Sequence, residues 1–272
     1  MNLGARAAAL GGAYIAQTLD VASMYWNPGS IMFLQRESVV ENTMFATNYA
    51  VMHTSVASRV YSDSRFSVAA GFAGTYFGTR WYDPNFTSRG GDICVATKLS
   101  PVFSVGMLVN VRYAQSSTNS LWASSGSVGV IYYPTPDISY GLVYEGFGKA
   151  FVYNNSPSQL FSLVDEHIPR DLKVGTSFYF PPSSNRVTFV IAMSTELSLS
   201  DRTLRNSAGF EYYPVAPLAL RLGFANADST TVTSFGFGIR LNVIQFDYAF
   251  VPMTPTDRYH QLSISISLGR AI

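Results

Sequence analysis

The sequence predicts an all-β fold, a transmembrane antiparallel β-barrel of about fourteen strands. Three observations carry this: a charge-poor composition, period-2 alternation along most of the chain, and connections that are alternately tight and variable. Of 272 residues, 47% are hydrophobic, 14% aromatic and only 13% charged, about half the ~25% charge of a soluble domain. No stretch approaches the ~18 consecutive apolar residues of a membrane-spanning helix. The remaining way to satisfy every backbone hydrogen bond in lipid is a closed barrel, whose strands alternate lipid-facing and lumen-facing residues and so stay near neutral in mean hydropathy, here +0.14. A soluble sandwich also alternates, but its second face would carry many Lys and Glu. Here that face is mostly Gly, Ser and Ala.

Residues 1–34 break the alternation and are rich in small side chains, as in Gly4-Ala5-Arg6-Ala7-Ala8-Ala9-Leu10-Gly11-Gly12-Ala13. Asp20 is placed to N-cap a helix of one or two turns, which Pro28 would end because a proline disfavours helical geometry at Asn27. The glycines suit a segment folded tightly and packed inside something. The first dozen residues lack the charged start, apolar run and cleavage pattern of a secretory leader, so an exported chain is expected to have lost its leader ahead of this numbering.

From about Arg36 onward, segments of roughly ten residues alternate. Phe66, Val68, Ala70 and Phe72 oppose Ser67 and Gly71. Phe103, Val105, Met107, Val109 and Val111 oppose Ser104, Gly106, Asn110 and Arg112. Leu218, Leu220, Leu222 and Phe224 oppose Arg221 and Gly223. Phe235 to Leu241 oppose Ser234, Gly236, Gly238 and Arg240; Ile244 to Phe250 oppose Gln245, Asp247 and Ala249; Leu262 to Leu268 oppose three serines. Alternation is weak near Met44, Thr54 and Ser124. Tight connections at Tyr61 to Ser64, Ser100-Pro101, Pro134 to Pro136, Pro181 to Ser184, Pro214 to Pro217 and Leu241 to Val243 read as periplasmic turns. The longer ones, Thr75 to Arg89 and Gly148 to Ile168, read as extracellular loops suited to a lid or to docking. The pairs Tyr132-Tyr133 and Tyr212-Tyr213 sit where interfacial girdles place their rings.

Several functions are excluded or left without a motif. A net charge of +1 with scattered basic residues gives no footprint for nucleic acid. The single Cys94 excludes an internal disulfide and a cysteine-based zinc site, and reads as a packing residue. His53, His167 and His260 are isolated, which suits solvated or interfacial roles better than a metal site. No serine carries a nucleophile motif, and Gly4 to Gly12 do not follow a strand as a phosphate loop would. The chain is therefore read as having no catalytic residues, metal or cofactor.

Charges on the expected lumen face are more informative: Arg112, Glu145, Lys173, Glu196, Glu211, Arg221, Arg240 and Asp247. Charges out of water persist only when paired or hydrated, so an ionic network across the lumen is expected. It serves either as structural filler or as a latch, the latter if Arg6 or Asp20 of the N-terminal segment joins it.

Gly4-Ala5-Arg6, Leu10-Gly11-Gly12-Ala13, Asp20, Ser23 and Tyr25-Trp26-Asn27-Pro28-Gly29 together resemble the N-terminal signature of the PorV/PorQ family, relatives of the FadL-type long-chain fatty acid transporters. Ile168-Pro169-Arg170, Glu211-Tyr212-Tyr213-Pro214 with Pro217 to Arg221, Asp247 to Pro252 and His260 to Ser265 look like the same family. The chain is shorter than the family pattern, with modest loops, and ends in Gly269-Arg270-Ala271-Ile272 where the family has a terminal aromatic. The resemblance implies a fourteen-stranded barrel over residues 35–272 and a hatch, residues 1–34, folded into its lumen. The hatch motif would be Gly4, Arg6, Gly11, Gly12, Asp20, Tyr25, Trp26, Asn27 and Pro28, with Leu10, Tyr14, Ile15, Leu19 and Met24 packing the plug or lining a ligand pocket. It also implies residence in the bacterial outer membrane among its lipids. Two roles follow: docking an outer-membrane or secreted protein in a type IX-like secretion or surface assembly, which the resemblance puts first, or moving small hydrophobic compounds as FadL-type transporters do.

Overall fold

The structure, a computed structural model, describes residues 4–18, 20, 22–34, 36–46, 50–58, 66–76, 87–115, 119–154, 164–166, 168–182, 187–227, 230–252 and 258–271. The N-terminal segment holds two short helices and a 3-10 turn. Helix α1 (Ala5–Ala9) ends in two glycines because the chain must turn back through left-handed geometry there. Gly11 and Gly12 have φ of 67° and 85°. Their amides close the helix onto the Ala8 and Ala7 carbonyls at 3.1 and 2.9 Å, a double bond pattern that a residue with a Cβ forms only under strain.

Helix α2 (Ser23–Trp26) differs in detail from the sequence expectation. Ala22, not Asp20, occupies the N-cap position, and Asp20 reaches the buried Ser23 amide from further upstream at 3.1 Å. Its own carbonyl accepts the Ser23 hydroxyl at 2.6 Å. Asn27 is extended, at φ −154° and ψ 108°, as a residue before proline prefers. Pro28 then does more than end a helix: it opens the 3-10 helix Pro28–Phe33, where its missing amide is no loss.

Fifteen strands follow among the described residues: β1 (Arg36–Ala46), β2 (Ala50–Ser58), β3 (Phe66–Tyr76), β4 (Thr87–Ser100), β5 (Phe103–Gln115), β6 (Asn119–Thr135), β7 (Ile138–Asn154), β8 (Val164–Glu166), β9 (Asp171–Phe180), β10 (Phe189–Ser198), β11 (Leu204–Val215), β12 (Leu218–Ala227), β13 (Thr230–Leu241), β14 (Ile244–Pro252) and β15 (Arg258–Ala271). All pair antiparallel with their neighbours. In addition β1 pairs with β15, and β7 pairs with both β6 and β9, while three-residue β8 joins the far part of β7. Each of the fourteen longer strands thus has partners on both sides. The weakly alternating stretches are paired too: Met44 faces Met52 and Leu262, Thr54 faces Asn42 and Phe72, and Ser124 faces Val111 and Lys149.

One face of the sheet is covered by the N-terminal segment, and the other is open. On β5, Ser104, Gly106 and Leu108 are buried while Met107, Val109 and Val111 are exposed. On β15, Gln261, Ser263 and Ser265 are buried, whereas Leu262, Ile264 and Ile266 are 36 to 40% exposed. The large side chains therefore point away from the core, the reverse of a soluble sandwich.

The tight turns shift by one or two residues from their expected places. Pro134 and Pro214 lie inside β6 and β11, at register shifts between Tyr132 and Thr135 and between Tyr212 and Val215. A proline has no amide to give a ladder, so it is tolerated where the ladder is already broken. The turns proper are at residues 101–102, 136–137, 216–217 and 242–243. The expected turn at Tyr61 to Ser64, part of that at Pro181 to Ser184, and residues 77–86 of the first long loop lie outside the described residues. Part of the second long loop is strand, since β7 runs on to Asn154 and meets β8.

Candidate functional site

The core of the molecule is the N-terminal segment against the covered face. Met24, Ile31, Met32 and Leu34 pack on Cys94, Ala96 and Leu108. Ala7, Leu10, Tyr14, Ile15 and Trp26 pack together against Val143, with the Tyr14 and Trp26 rings edge to face at 6.0 Å. Ala5, Ala8 and Ala9 pack on Ala249 and Val251. Leu19 lies outside the described residues; Leu10, Tyr14, Ile15 and Met24 are each at most 2% exposed.

Small residues on the covered face let the segment lie flush with the wall. A methyl group added at Gly106 would strike the Pro28 backbone, at Gly129 the Asn27 carboxamide, at Gly141 the Ile15 carbonyl, and at Gly223 the Gly11 amide. Serines serve the segment's backbone and side chains. Ser104, Ser139 and Ser234 donate to the carbonyls of Gly29, Ala16 and Ala9 at 2.8, 2.8 and 3.1 Å. Ser263 Oγ accepts the Ala5 amide, and Ser177 Oγ accepts from Gln17 Nε2. Asn27 ties three places at once: its Nδ2 donates to the Ile15 carbonyl at 3.0 Å and the Val130 carbonyl at 2.8 Å, and its Oδ1 accepts the Gly29 amide. A segment with few regular helical bonds needs such partners for its buried polar groups.

The eight charges singled out from the sequence fall into three groups. In the first, Arg6 Nη2 meets Glu211 Oε2 at 2.5 Å, Glu211 Oε1 meets Arg221 Nε at 2.6 Å, and Arg221 Nη1 meets Asp247 Oδ1 at 2.6 Å. Gln245 Nε2 donates to Asp247 at 2.6 Å and Gln245 Oε1 accepts from exposed Arg240 at 3.0 Å, so the chain of contacts reaches the rim. Asp20 stands 4.0 Å from Arg6 and accepts the Tyr14 hydroxyl. Arg6, Glu211 and Arg221 are at most 5% exposed. In the second group Arg112 pairs with Asp92 at 2.5 Å, and Asp92 also accepts the Tyr25 hydroxyl at 3.0 Å. In the third, Lys173 pairs with Glu145 and Glu196 at 2.6 and 3.1 Å, half-buried.

Sequence reasoning missed Asp92, although it lies in phase with Cys94 and Ala96 on β4. It also read both tyrosine pairs as girdle residues. Only Tyr132 and Tyr212 face out, at 42% and 47% exposure. The register shift turns Tyr133 and Tyr213 inward, where Tyr133 hydrogen-bonds Thr18 at 2.6 Å and Tyr213 accepts from Arg6 at 3.1 Å. Cys94 is buried and donates weakly to the Pro28 carbonyl at 3.7 Å. His260 is exposed, with Nδ1 2.7 Å from the Tyr248 hydroxyl; the side chain of His53 and all of His167 lie outside the described residues. Among the described residues no group of His, Cys, Asp and Glu is arranged to hold a metal ion, and no helix is long and apolar enough to cross a membrane.

At the tight-turn end a cavity of about 420 Å³ opens between Thr18, Phe33, Tyr133 and Tyr179. Beside Arg221 and Tyr213 lies a notch of about 10 Å³.

No family model and no curated protein matches this chain. Solved structures do. The Ralstonia pickettii toluene transporter TbuX is 16% identical with a TM-score of 0.68, covering 97% of each chain. The Pseudomonas putida toluene transporter TodX is 12% identical at 0.69, covering 99% of each. A Pseudomonas aeruginosa FadL homologue is 11% identical at 0.72, covering 97% of this chain and 98% of its own. These likenesses establish the fold as the FadL type. They support that side of the sequence resemblance and give no support to its PorV/PorQ side.

Proposed function

We propose that this chain is an outer-membrane transporter of small hydrophobic compounds, built as a closed barrel of fourteen strands with residues up to 34 as a hatch in its lumen. The docking role that the motif resemblance put first gives way to transport. The observation that carries the proposal is the extent of the fold likeness. Coverage of 97% leaves about eight of 272 residues unmatched, fewer than the 35 ahead of β1, so the likeness to proteins described as toluene transporters takes in most of the N-terminal segment. Membrane insertion is supported independently by the open face, where Met107 and Trp122 on neighbouring β5 and β6, and Leu220, Phe235 and Phe237 on neighbouring β12 and β13, are 42 to 50% exposed. In this reading the segment is the barrier to passage, and the polar contacts and ion pairs that seat it are what movement must break.

The test is uptake of radiolabelled toluene by bacteria lacking their own hydrophobic-compound channels. Folded protein in the outer membrane is expected to accelerate uptake several-fold over an empty-vector control. No acceleration, together with a co-purifying protein of fixed stoichiometry in native mass spectrometry, would overturn transport and restore docking.

A further inference from the structure

We propose that the cavity at the tight-turn end is a binding site for a neutral molecule with one or two apolar rings and a single hydroxyl, the last station on the hatch's periplasmic side. This rests on the transport reading for its place on a route, though not for its chemistry. Its volume of about 420 Å³ is that of a small-molecule site. A cavity of about 150 Å³ suffices for benzene, so a substituted ring fits with room to spare.

The lining selects the chemistry. Among the described residues no charged side chain lines it, although Lys98 Nζ lies over the Phe33 ring at 4.8 Å; burying a charge without a partner is unfavourable, so the lining favours a neutral ligand. Phe33, Val102 and Val187 supply apolar surface, and the Phe33 ring lies 4.9 Å from that of Tyr133, tilted by 57°, a pair that offers aromatic edges and faces to a third ring. The polar groups are hydroxyls. Thr18 Oγ1 and Tyr133 OH are 2.6 Å apart; since only one proton lies between them, one hydroxyl proton and several lone pairs are left to be shared between the neighbouring Tyr179 hydroxyl and a ligand. Tyr179 adds a third hydroxyl, backed by Ser139, whose own proton goes to the Ala16 carbonyl.

The site is shared between the N-terminal segment, through Thr18 and Phe33, and the wall, which supplies the rest of the described lining. A ligand hydroxyl inserted between Thr18 and Tyr133 would replace the side-chain bond that ties Thr18 to the wall. Occupancy and seating of the segment are then thermodynamically linked, each changing the other by the same factor.

The probes are 4-bromophenol and bromobenzene, with purified protein in detergent, calorimetric titration and bromine anomalous diffraction. The expected result is bromine density between Phe33 and Tyr133, with 4-bromophenol bound more tightly than bromobenzene. Val102→Trp, at an exposed turn, should weaken 4-bromophenol at least tenfold by filling the space. Val187→Trp repeats the test should the first variant fold poorly. Thr18→Val should erase most of the preference for the phenol. Bromine density only elsewhere, or undiminished affinity in both tryptophan variants, overturns the site while leaving transport intact if wild-type uptake persists. Binding here without any acceleration of uptake supports the site and overturns the transport reading instead.

Discussion

Two corners of the wall are built from the same short motif and do opposite things. At Tyr132-Tyr133-Pro134 and at Tyr212-Tyr213-Pro214 the ladder skips, the first tyrosine stays on the open face, and the second turns inward. Even the displaced amides find equivalent partners: Tyr133 N–H goes to the Val102 carbonyl and Tyr213 N–H to the Thr188 carbonyl, both at 2.8 Å. What differs is the side chain that the N-terminal segment presents. Thr18 meets Tyr133 beside a cavity whose described lining is uncharged, whereas Arg6 meets Tyr213 and draws Glu211, Arg221 and Asp247 into a packed ionic chain. A bulge of fixed backbone geometry thus becomes a pocket or a lock according to one residue of the N-terminal segment.

The lock should yield the largest effect. Arg221→Met leaves Glu211 and Asp247 buried without the guanidinium that separates them, and breaking such a set from one side costs about 3–5 kcal/mol. The urea midpoint, followed by tryptophan emission in detergent, should fall accordingly. A near-wild-type midpoint would mean that water enters this corner as freely as the other, and the contrast between the two would be gone.

The seat of the segment near the other corner can be separated from the lock with the native thiol. Gly129→Ala places a methyl into the Asn27 carboxamide and the Pro28 ring, and overpacking of this kind costs about 1–3 kcal/mol. Because Pro28 covers Cys94, lifting that turn should raise Cys94 maleimide labelling about tenfold or more, the open population scaling with the lost seating energy. Arg221→Met, acting at the far end through Arg6, should change that rate much less. Equal acceleration by both variants would show that the segment moves as one rigid plug.

How much of this was legible in the sequence follows from periodicity. Alternation such as Leu262, Ile264 and Ile266 against serines is strictly local, so strands and faces could be read directly, and so could the phase of Arg221, Glu211 and Asp247. Depth was not legible. Arg240 shares the face of Arg221 but ends at the rim, and Lys173 with its two glutamates makes no contact with the segment described here. Nor did local pattern reveal which tyrosine of each pair turns inward, because a bulge inverts the phase over two residues and only the partner strand shows where it falls. The glycines and serines were visible as a small-residue face. That they are contact points for another piece of backbone depends on residues more than a hundred positions away, such as Ser139 with Ala16 and Ser234 with Ala9.

The smallest effects compare the two inward hydroxyls themselves. Tyr213→Phe removes an acceptor from a buried guanidinium, and hydrogen bonds to charged groups are worth about 1.5–3 kcal/mol. Tyr133→Phe removes a neutral bond at the edge of an open cavity, where water can take the place of the lost partner, so about 0.5–1 kcal/mol is expected. The two residues share no hydrogen-bond partner, and the double variant should lose the sum of the single losses to within about 0.5 kcal/mol. The urea midpoints of the three variants measure this. Coupling well above that margin would mean that the pocket and the lock communicate through the segment, so that a ligand in the Tyr133 cavity would be felt at Arg6; additivity confines any ligand effect to the Thr18 end and leaves the ionic chain to be broken by other means.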